Sequence, residues 1–355
     1  MAKDGVDSRI DGHKLIFHPD RVAQWRRTGD CYPIHIEIGL TGRCNQRCIF
    51  CALDFVNHKA EDIDTNVILK SLEEMAMQGV RSVMFGGEGE PLLHPDIGII
   101  ARKAKEYGLD VAITTNGSRF DKRKIEDCLP YLSWVKYSVD AGDASTYGKV
   151  HGVSEREFAR VIENIRAAVE HKRAKGLRVT IGTQFLIIPQ SLESAEKAAE
   201  TLRELGADYL AVKPYSHHPR SGNNFSVNPE QYNLLEKILE KFNTDTFRVS
   251  FRKATIQRLE EGNAYPECYG LPFISLIDSK GNVLPCNLFY GQPEFTYGNL
   301  YEQSFEEIWS GEKRKEVLDS LRRRGVEDCR HGCRCDAINR YLQRLRSPQE
   351  HDNFT

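Results

Sequence analysis

From residue 32 to about residue 216, apolar and polar positions follow two alternating periods. Runs with a two-residue period, such as Ile-His-Ile-Glu-Ile at 34–38, are typical of β-strands, and runs with a period near 3.6 residues, as at 64–78, are typical of amphipathic helices. The pattern predicts strands at 33–40, 81–86, 109–115, 134–140, 178–187 and 208–214, and between them helices at 64–78, 96–107, 121–129, 154–175 and 191–205.

Local signals at the helix ends support this assignment. Asp64 and Thr65 provide an N-cap, and Gly79 and Gly108 provide C-caps. Regular alternation of strands and helices predicts an α/β fold, in which helices cover a parallel sheet.

The alternation stops in the C-terminal third of the chain. A helix at about 229–242 and a short strand near 247–251 come first, followed by a hairpin with strands at 273–277 and 283–286 around the turn 278–282. The predicted division is an N-terminal cap segment at 1–31, a main domain at 32–225, a linker at 226–265, a small C-terminal domain at 266–345 and a tail at 346–355.

Composition narrows the class of protein. The chain has 49 basic and 51 acidic side chains, a formal net charge of −2, which argues against a nucleic-acid-binding protein. The N-terminus carries no apolar signal segment, and no run approaches 18 apolar residues, so we expect a cytoplasmic protein without a membrane partner. Ten cysteines in that compartment favour metal ligation over disulfides.

Three of these cysteines, Cys44, Cys48 and Cys51, form a CxxxCxxC motif directly after the first predicted strand. Three thiolates on one loop can hold three irons of a [4Fe–4S] cluster and leave the fourth iron open to a small molecule. The alternatives are a zinc site completed by the nearby His58, a disulfide with a spare thiol, or unconnected thiols.

The motif and the strand–helix pattern resemble the radical S-adenosylmethionine (SAM) superfamily. The resemblance implies a partial (β/α)6 TIM-like barrel with its chemistry at the carboxyl ends of the strands. It also implies that SAM chelates the open iron and is cleaved reductively to methionine and a 5′-deoxyadenosyl radical, with a reducing partner such as flavodoxin or ferredoxin. The residues it implies for SAM binding are Phe50 beside the adenine, Gly86, Gly87 and Glu88 at the amine, and Asn116, Ser138 and Gln184 at the carboxylate or ribose.

Each of these contacts has a plainer alternative. Glu90 competes with Glu88 for the role of the acid, Asn116 and Ser138 stand in segments that also form ordinary turns, and Gln184 can serve a structural hydrogen bond. No catalytic residue is identifiable from the sequence. The donor-rich segment after the sixth strand contains possible substrate contacts, Lys213, His217 and Arg220, or is a solvated loop.

A second group of cysteines lies near the C-terminus. The spacing Cys268-x12-Gly281-x4-Cys286 resembles the opening of SPASM and twitch domains, which hold auxiliary iron–sulfur clusters. Four ligands suffice for one auxiliary [4Fe–4S] cluster, and a tetrahedral zinc site is the alternative. The predicted ligands are Cys268 and Cys286 with two of Cys329, Cys333 and Cys335.

Three functions are consistent with these motifs. The first hypothesis is hydrogen abstraction from a small polar molecule, such as a sugar, nucleotide sugar or cyclitol, with dehydrogenation or epimerisation assisted by the auxiliary cluster. The second is a maturase that cross-links a ribosomal peptide or activates another enzyme. The third, from a different class, is a zinc-binding scaffold module.

Overall fold

Ten strands form a single sheet in the computed structural model, which describes residues 12–56 and 58–354. The first eleven residues of the predicted cap segment and the last residue of the predicted tail lie outside the described residues. The strand order is β10-β9-β8-β1-β2-β3-β4-β5-β6-β7. The strands are β1 His35–Ile38, β2 Ser82–Phe85, β3 Asp110–Thr115, β4 Trp134–Ser138, β5 Thr180–Ile187, β6 Tyr209–Pro214, β7 Arg248–Phe251, β8 Ile274–Ile277, β9 Asn282–Leu284 and β10 Gly298–Asn299.

Strands β1 to β7 are parallel, and each pairs with its neighbour in the chain. This confirms the predicted α/β fold, because parallel neighbours need a crossover and helices supply most of them. The short strand expected within the linker is β7, which extends the predicted six-stranded sheet by one parallel strand.

The five helices predicted between the strands are all present, among them α2 Thr65–Met77, and the helix predicted at about 229–242 forms at Pro229–Glu240. Asp64 caps α2 as expected, because its carboxylate accepts hydrogen bonds from the amides of Asn66 and Val67. No described helix has the length and apolar character needed to span a bilayer. The helices are α1 Pro19–Thr28, α2 Thr65–Met77, α3 Ile97–Glu106, α4 Lys122–Cys128, α5 Ala144–His151, α6 Arg156–Lys175, α7 Ala195–Leu205, α8 Pro229–Glu240, α9 Lys253–Glu261, α10 Phe305–Ser310, α11 Glu312–Arg324 and α12 Asp336–Arg346.

The two faces of the parallel sheet differ in chemistry. Alternate residues such as Ile36, Ile38 and Val135 are completely buried in the main apolar core, together with Leu72 of α2. Each apolar side chain of this size stabilises the fold by about 1.5–3 kcal/mol when it is fully buried. The residues between them point to the opposite face, the lumen of the barrel.

The C-terminal hairpin continues the barrel sheet. Strand β8 pairs in parallel with β1, with His35 opposite Ile274 and Ile38 opposite Ile277, and β9 pairs antiparallel with β8. The hairpin predicted from the sequence therefore forms, and it lies at the open edge of the barrel.

An ion pair between a fully buried arginine and a partly exposed aspartate connects the N-terminal segment to the C-terminal helices. Arg314 of α11 is completely buried, and its two terminal nitrogens each lie 2.7 Å from a carboxylate oxygen of Asp30. The guanidinium also lies 3.8 Å from the ring centroid of Trp309, whose indole N–H donates to the carbonyl of Cys31 at 2.9 Å. Both partners of this pair are needed, since a buried charge without a counter-ion is costly.

We expect Asp30→Ala to lower the free energy of unfolding by about 2–3 kcal/mol, because it leaves the Arg314 charge buried and uncompensated. Urea denaturation followed by circular dichroism measures the loss. The matched control is Asp319→Ala, which removes an exposed ion pair with Arg322 and is expected to cost about 0–1 kcal/mol. Equal losses in the two variants would contradict the stabilising role of the Asp30–Arg314 pair.

Candidate functional site

The CxxxCxxC loop follows β1 and is supported by α5, a helix that the sequence analysis did not predict. The backbone amides of Arg47 and Ile49 donate to the carbonyls of His151 and Val150, each at 3.0 Å. The side-chain amide of Gln46 lies 2.9 Å from the hydroxyl of Tyr147 on the same helix. These bonds fix the backbone between the first and third cysteines.

The three thiols of the loop lie in each other's electrostatic field. Burial raises the pKa of Cys44 to about 11 and that of Cys48 well above its ordinary value, and the neighbouring cysteines add to the shift. Burial also raises the pKa of Cys51. Three converging thiols fit a [4Fe–4S] cluster, whose irons supply the positive charge that stabilises the thiolates.

Cys48 has a close imidazole neighbour. Its sulfur lies 3.2 Å from Nδ1 of His151, and Nε2 of the same ring lies 2.9 Å from the carbonyl oxygen of Val139. Burial lowers the pKa of His151 to about 4, so the ring is neutral at physiological pH. Phe50 stands edge-to-face against this ring at 5.4 Å, and its predicted contact with adenine stays a prediction.

Two glycines allow the backbones around the cysteine loop to approach closely. A side chain at Gly89 would begin 2.2 Å from the carbonyl oxygen of Thr41, and one at Gly152, which has a φ of +62°, would begin 2.3 Å from that of Arg47. The loops after β2 and α5 therefore pack directly against the cysteine loop.

The two acids of the loop after β2 have different surroundings. Glu90 is buried and accepts hydrogen bonds from the hydroxyl of Thr115 at 2.6 Å, the amide of Asn116 at 2.8 Å and the amide of Leu92 at 3.1 Å. Glu88 accepts one hydrogen bond, from the amide of Ser279 in the C-terminal hairpin, at 2.6 Å. Glu90 therefore joins β2 to β3, whereas Glu88 keeps more acceptor capacity for a ligand.

The remaining residues predicted to bind SAM lie at the same strand ends. Asn116 follows β3, and its side-chain amide donates to Asn45 of the cysteine loop at 2.9 Å. Ser138 of β4 stands opposite the buried Gln184 of β5. Gly87 has a φ of +99°, and a side chain there would begin 2.9 Å from the hydroxyl of Tyr290. Their contacts with SAM stay predictions.

Of the three predicted substrate contacts, only Lys213 faces the lumen. Arg220 is held in the loop after β6, where its guanidinium donates to the carbonyl of Tyr290 and lies 4.3 Å from the ring centroid of Phe55. His217 is exposed, with Nδ1 3.0 Å from the carbonyl oxygen of Asn223. The structure therefore does not bring these three side chains together.

All five C-terminal cysteines converge. The neighbouring thiols of Cys329 and Cys335 lower the pKa of Cys333, and the neighbouring Cys268 and Cys333 raise the pKa of Cys335. The pKa of Cys286 is raised, mainly by burial and then by the nearby Cys268. The geometry fits a thiolate-bound cluster and does not favour any one pair among the last three cysteines.

A single metal ion is a different case from a cluster. Among residues 12–56 and 58–354, no group of three or more His, Cys, Asp or Glu side chains has the arrangement for one shared ion. A [4Fe–4S] cluster does not require its ligands to meet at one ion, because each thiolate binds a different iron.

The loop with the last three cysteines spans the gap between the two ends of the parallel sheet. Arg330 donates to the hydroxyl of Ser216, beyond β6, at 2.9 Å and to its carbonyl at 2.7 Å. Arg334 forms an ion pair of 2.5 Å with Glu37 on β1. The auxiliary cysteines and the CxxxCxxC loop therefore border the same lumen.

The sequence analysis did not identify Lys136, Tyr290 or Arg334, although the sequence pattern around Lys136 contained a signal. Lys136 alternates with the apolar Val135 and Tyr137 in β4, a pattern that places a lysine on the lumen face. Tyr290 and Arg334 carried no local signal, because their positions depend on how the C-terminal segment packs.

Comparison with protein families identifies the class. Residues 38–202 match the model of the radical SAM superfamily, and residues 268–336 match the SPASM model, described as an iron–sulfur cluster-binding domain. The chain is a radical SAM enzyme. It belongs to the radical SAM superfamily, carries a C-terminal SPASM domain, and uses [4Fe–4S] clusters and SAM as cofactors.

Three curated proteins illustrate the similarity. A tungsten-containing aldehyde ferredoxin oxidoreductase cofactor-modifying protein of Pyrococcus furiosus is 22% identical over 308 residues, 79% of this chain and 81% of its own. An AdoMet-dependent heme synthase of Methanosarcina barkeri is 26% identical over 304 residues, 80% of this chain and 83% of its own. A PqqA peptide cyclase of Gluconobacter oxydans is 23% identical over 286 residues, 78% of this chain and 76% of its own.

Solved structures share the fold. SuiB of Streptococcus suis, bound to the precursor peptide SuiA, has a TM-score of 0.67 at 19% identity and covers 87% of this chain and 71% of its own. Native anSMEcpe with bound AdoMet has a TM-score of 0.58 at 17% identity and covers 88% of this chain and 95% of its own.

The two cysteine groups can be separated by metal analysis. Two [4Fe–4S] clusters correspond to about eight irons per chain, so replacement of Cys44, Cys48 and Cys51 by alanine should leave about half of the iron. Cys48→Ala alone should abolish formation of 5′-deoxyadenosine under dithionite. Cys128→Ala is the control, because this buried cysteine lies in α4, outside both groups. Zinc in place of the remaining iron, or continued SAM cleavage by Cys48→Ala, would refute the assignment.

The different surroundings of Glu88 and Glu90 predict different defects. Glu88→Gln should raise the KM for SAM by about tenfold and leave the stability unchanged, because it weakens a charge-assisted contact to the SAM amine. Glu90→Gln should lower the free energy of unfolding by about 1–3 kcal/mol, because an amide cannot satisfy the three donors that the carboxylate serves. Steady-state kinetics and urea denaturation of both variants test this, and the reversed pattern would assign the SAM contact to Glu90.

Proposed function

We propose that this protein is a maturase that abstracts hydrogen from a peptide substrate. Cys44, Cys48 and Cys51 would hold the cluster whose open iron binds SAM, and reductive cleavage of bound SAM supplies a 5′-deoxyadenosyl radical. The observation that carries the proposal is the shared lumen, since the loop with Cys329, Cys333 and Cys335 contacts both Ser216, beyond β6, and Glu37 of β1, the strand that leads into the CxxxCxxC loop.

The loop after β6 also packs against the segment that ends the cysteine motif. Asn223, in the loop after β6, donates to the carbonyl of Cys51 at 3.0 Å, and the amide of Gly222 donates to Asp54 at 3.0 Å. Tyr290 is buried and packs beside the same segment with Leu53.

The electron balance of the reaction suggests that the auxiliary cysteine site accepts an electron. SAM held at the CxxxCxxC site would consume one external electron on cleavage, and the substrate would give one hydrogen atom to the resulting 5′-deoxyadenosyl radical. An oxidised product requires the substrate to lose a further electron and a proton, and the auxiliary site would accept that electron. Four thiolates at the auxiliary site would leave no ligand position for substrate, which suits electron transfer.

The comparisons support a peptide substrate over the sugar-like substrate of our first hypothesis. The PqqA peptide cyclase is named for a peptide substrate, and SuiB, which is similar in fold, was solved with a bound precursor peptide. The subtilosin biosynthesis protein AlbA of Bacillus subtilis is 24% identical over 285 residues, 78% of this chain and 60% of its own. Cofactor modification is a second candidate, supported by the Pyrococcus protein and the heme synthase.

Deuterium transfer tests the proposal. Small peptides encoded beside the gene for this protein, made with perdeuterated amino acids, are incubated with reconstituted enzyme, SAM and dithionite. We expect deuterium in the 5′-deoxyadenosine and loss of hydrogen from the peptide, both by mass spectrometry, because the radical takes its hydrogen directly from the substrate.

Cys286→Ala provides the control for this experiment. It removes a thiol of the auxiliary site and leaves the CxxxCxxC loop intact, so we expect it to form 5′-deoxyadenosine but little modified peptide. Circular dichroism shows whether the variant is folded, since loss of a metal can unfold a domain. Deuterium transfer only from a small-molecule cofactor fraction would overturn the peptide proposal in favour of cofactor modification.

A further inference from the structure

The lumen of the barrel is accessible and charged. Glu37, Thr114, Lys136, Ser138 and Lys213 all retain partial exposure on the inner face, whereas their outward-facing neighbours are completely buried. Closed (β/α)8 barrels instead fill this space with layers of apolar side chains. The polar lining therefore needs an explanation other than packing.

Positive charges outnumber negative charges around the two lysines. Arg330 and Arg334 contact Ser216 and Glu37 and face the auxiliary cysteines, which offset part of their charge. The cations that influence the lysines are Lys136 and Lys213 themselves with Arg252, Arg330 and Arg334, and the acids are Glu37 and Asp140.

The ammonium groups of Lys136 and Lys213 make no hydrogen bond or ion pair with any residue of the described ranges 12–56 and 58–354. Burial lowers the pKa of both side chains, and the other lumen cations lower them further. The positive charges of both ammonium groups are thus only partly balanced by negative charges of the protein itself.

The two acids near the lysines form no ion pair with them. Glu37 is paired with Arg334, and one carboxylate oxygen of Asp140 accepts a hydrogen bond from the amide of Leu186 at 2.6 Å. The other oxygen of Asp140 is buried, with the imidazole of His151 at 3.9 Å as its ionisable neighbour. Neither acid lies within ion-pair distance of the lysines, so an anion from outside can supply the missing charge.

We propose that Lys136 and Lys213 together bind an anionic group of the substrate, a carboxylate or a phosphate, inside the barrel. The inference rests on the proposed function in taking the lumen as the substrate site, and it narrows the substrate to molecules with such a group. Lys136 comes from β4 and Lys213 from β6, so a group held by both would lie beside β5, on the lumen face of the sheet.

Lysine reactivity measures this binding without turnover. The reconstituted enzyme is acetylated briefly with trace acetic anhydride, and mass spectrometry gives the rate at each lysine. We expect glutarate or inorganic phosphate to slow modification of Lys136 and Lys213 at least about fivefold, at an ionic strength matched with chloride. Lys122, exposed at the start of α4, is the internal control and should be unaffected.

Single substitutions test whether the lysines act together. Lys136→Met should raise the anion concentration needed to protect Lys213 by about tenfold or more, and Lys213→Met should do the same for Lys136, because each removes a charge-assisted contact. Lys122→Met should change nothing. Protection by phosphate alone would assign a phosphorylated group, and protection by glutarate alone would assign a carboxylate.

Two results would overturn the inference and leave the proposed function intact. One is wild-type enzyme that forms 5′-deoxyadenosine but shows no protection by either anion, or equal protection by neutral glucose. The other is protection by SAM alone with a raised KM for SAM in Lys136→Met, which would assign the lysines to the SAM carboxylate. Wild-type enzyme that fails to cleave SAM, by contrast, would contradict the proposed function itself.

Discussion

The parallel pairing of β8 with β1 is the constraint on which the functional arrangement depends. It attaches the C-terminal hairpin to the open edge of the barrel and brings Cys286 and the residues after it to the mouth of the lumen. The ion pair between Arg334 and Glu37 then fixes the last cysteine loop to the same strand, β1, that leads into the CxxxCxxC loop. One strand thus positions both cysteine groups.

An open barrel has a different interior from a closed one. The eight parallel strands, β8 and β1 to β7, do not close into a ring, because β7 ends the sheet without pairing with the C-terminal hairpin. A loop with two arginines, Arg330 and Arg334, connects the segment after β6 with β1 across this gap. Water and ligands can therefore reach inner-face residues such as Lys136, whereas the outer face retains the dry core that stabilises the fold. The outer face of the sheet thus carries the residues that stabilise the fold, and the inner face carries the residues that can contact ligands.

Supporting residues decide the geometry of the cysteine loop. The three cysteines are local in sequence, but α5 and the loops after β2 and β6 hold them in place through backbone hydrogen bonds and two glycines. Glu90 is another supporting residue, because its carboxylate joins two strand ends. Glu88, two residues earlier, instead contacts the C-terminal hairpin. Adjacent residues of one motif can therefore differ in role.

The sequence alone determined the features that depend on local pattern. Strand and helix periods and turn residues predicted β1 to β9 and six of the helices, including α8, since these signals lie within a few residues of each other. Cysteine spacing predicted both cysteine groups. Only the tertiary structure decided that Arg220 supports a loop, that Lys136 and Lys213 share the lumen, and that the last cysteine loop contacts β1. These contacts join segments that are far apart in the chain. They depend on sheet register and packing, which no local sequence pattern encodes.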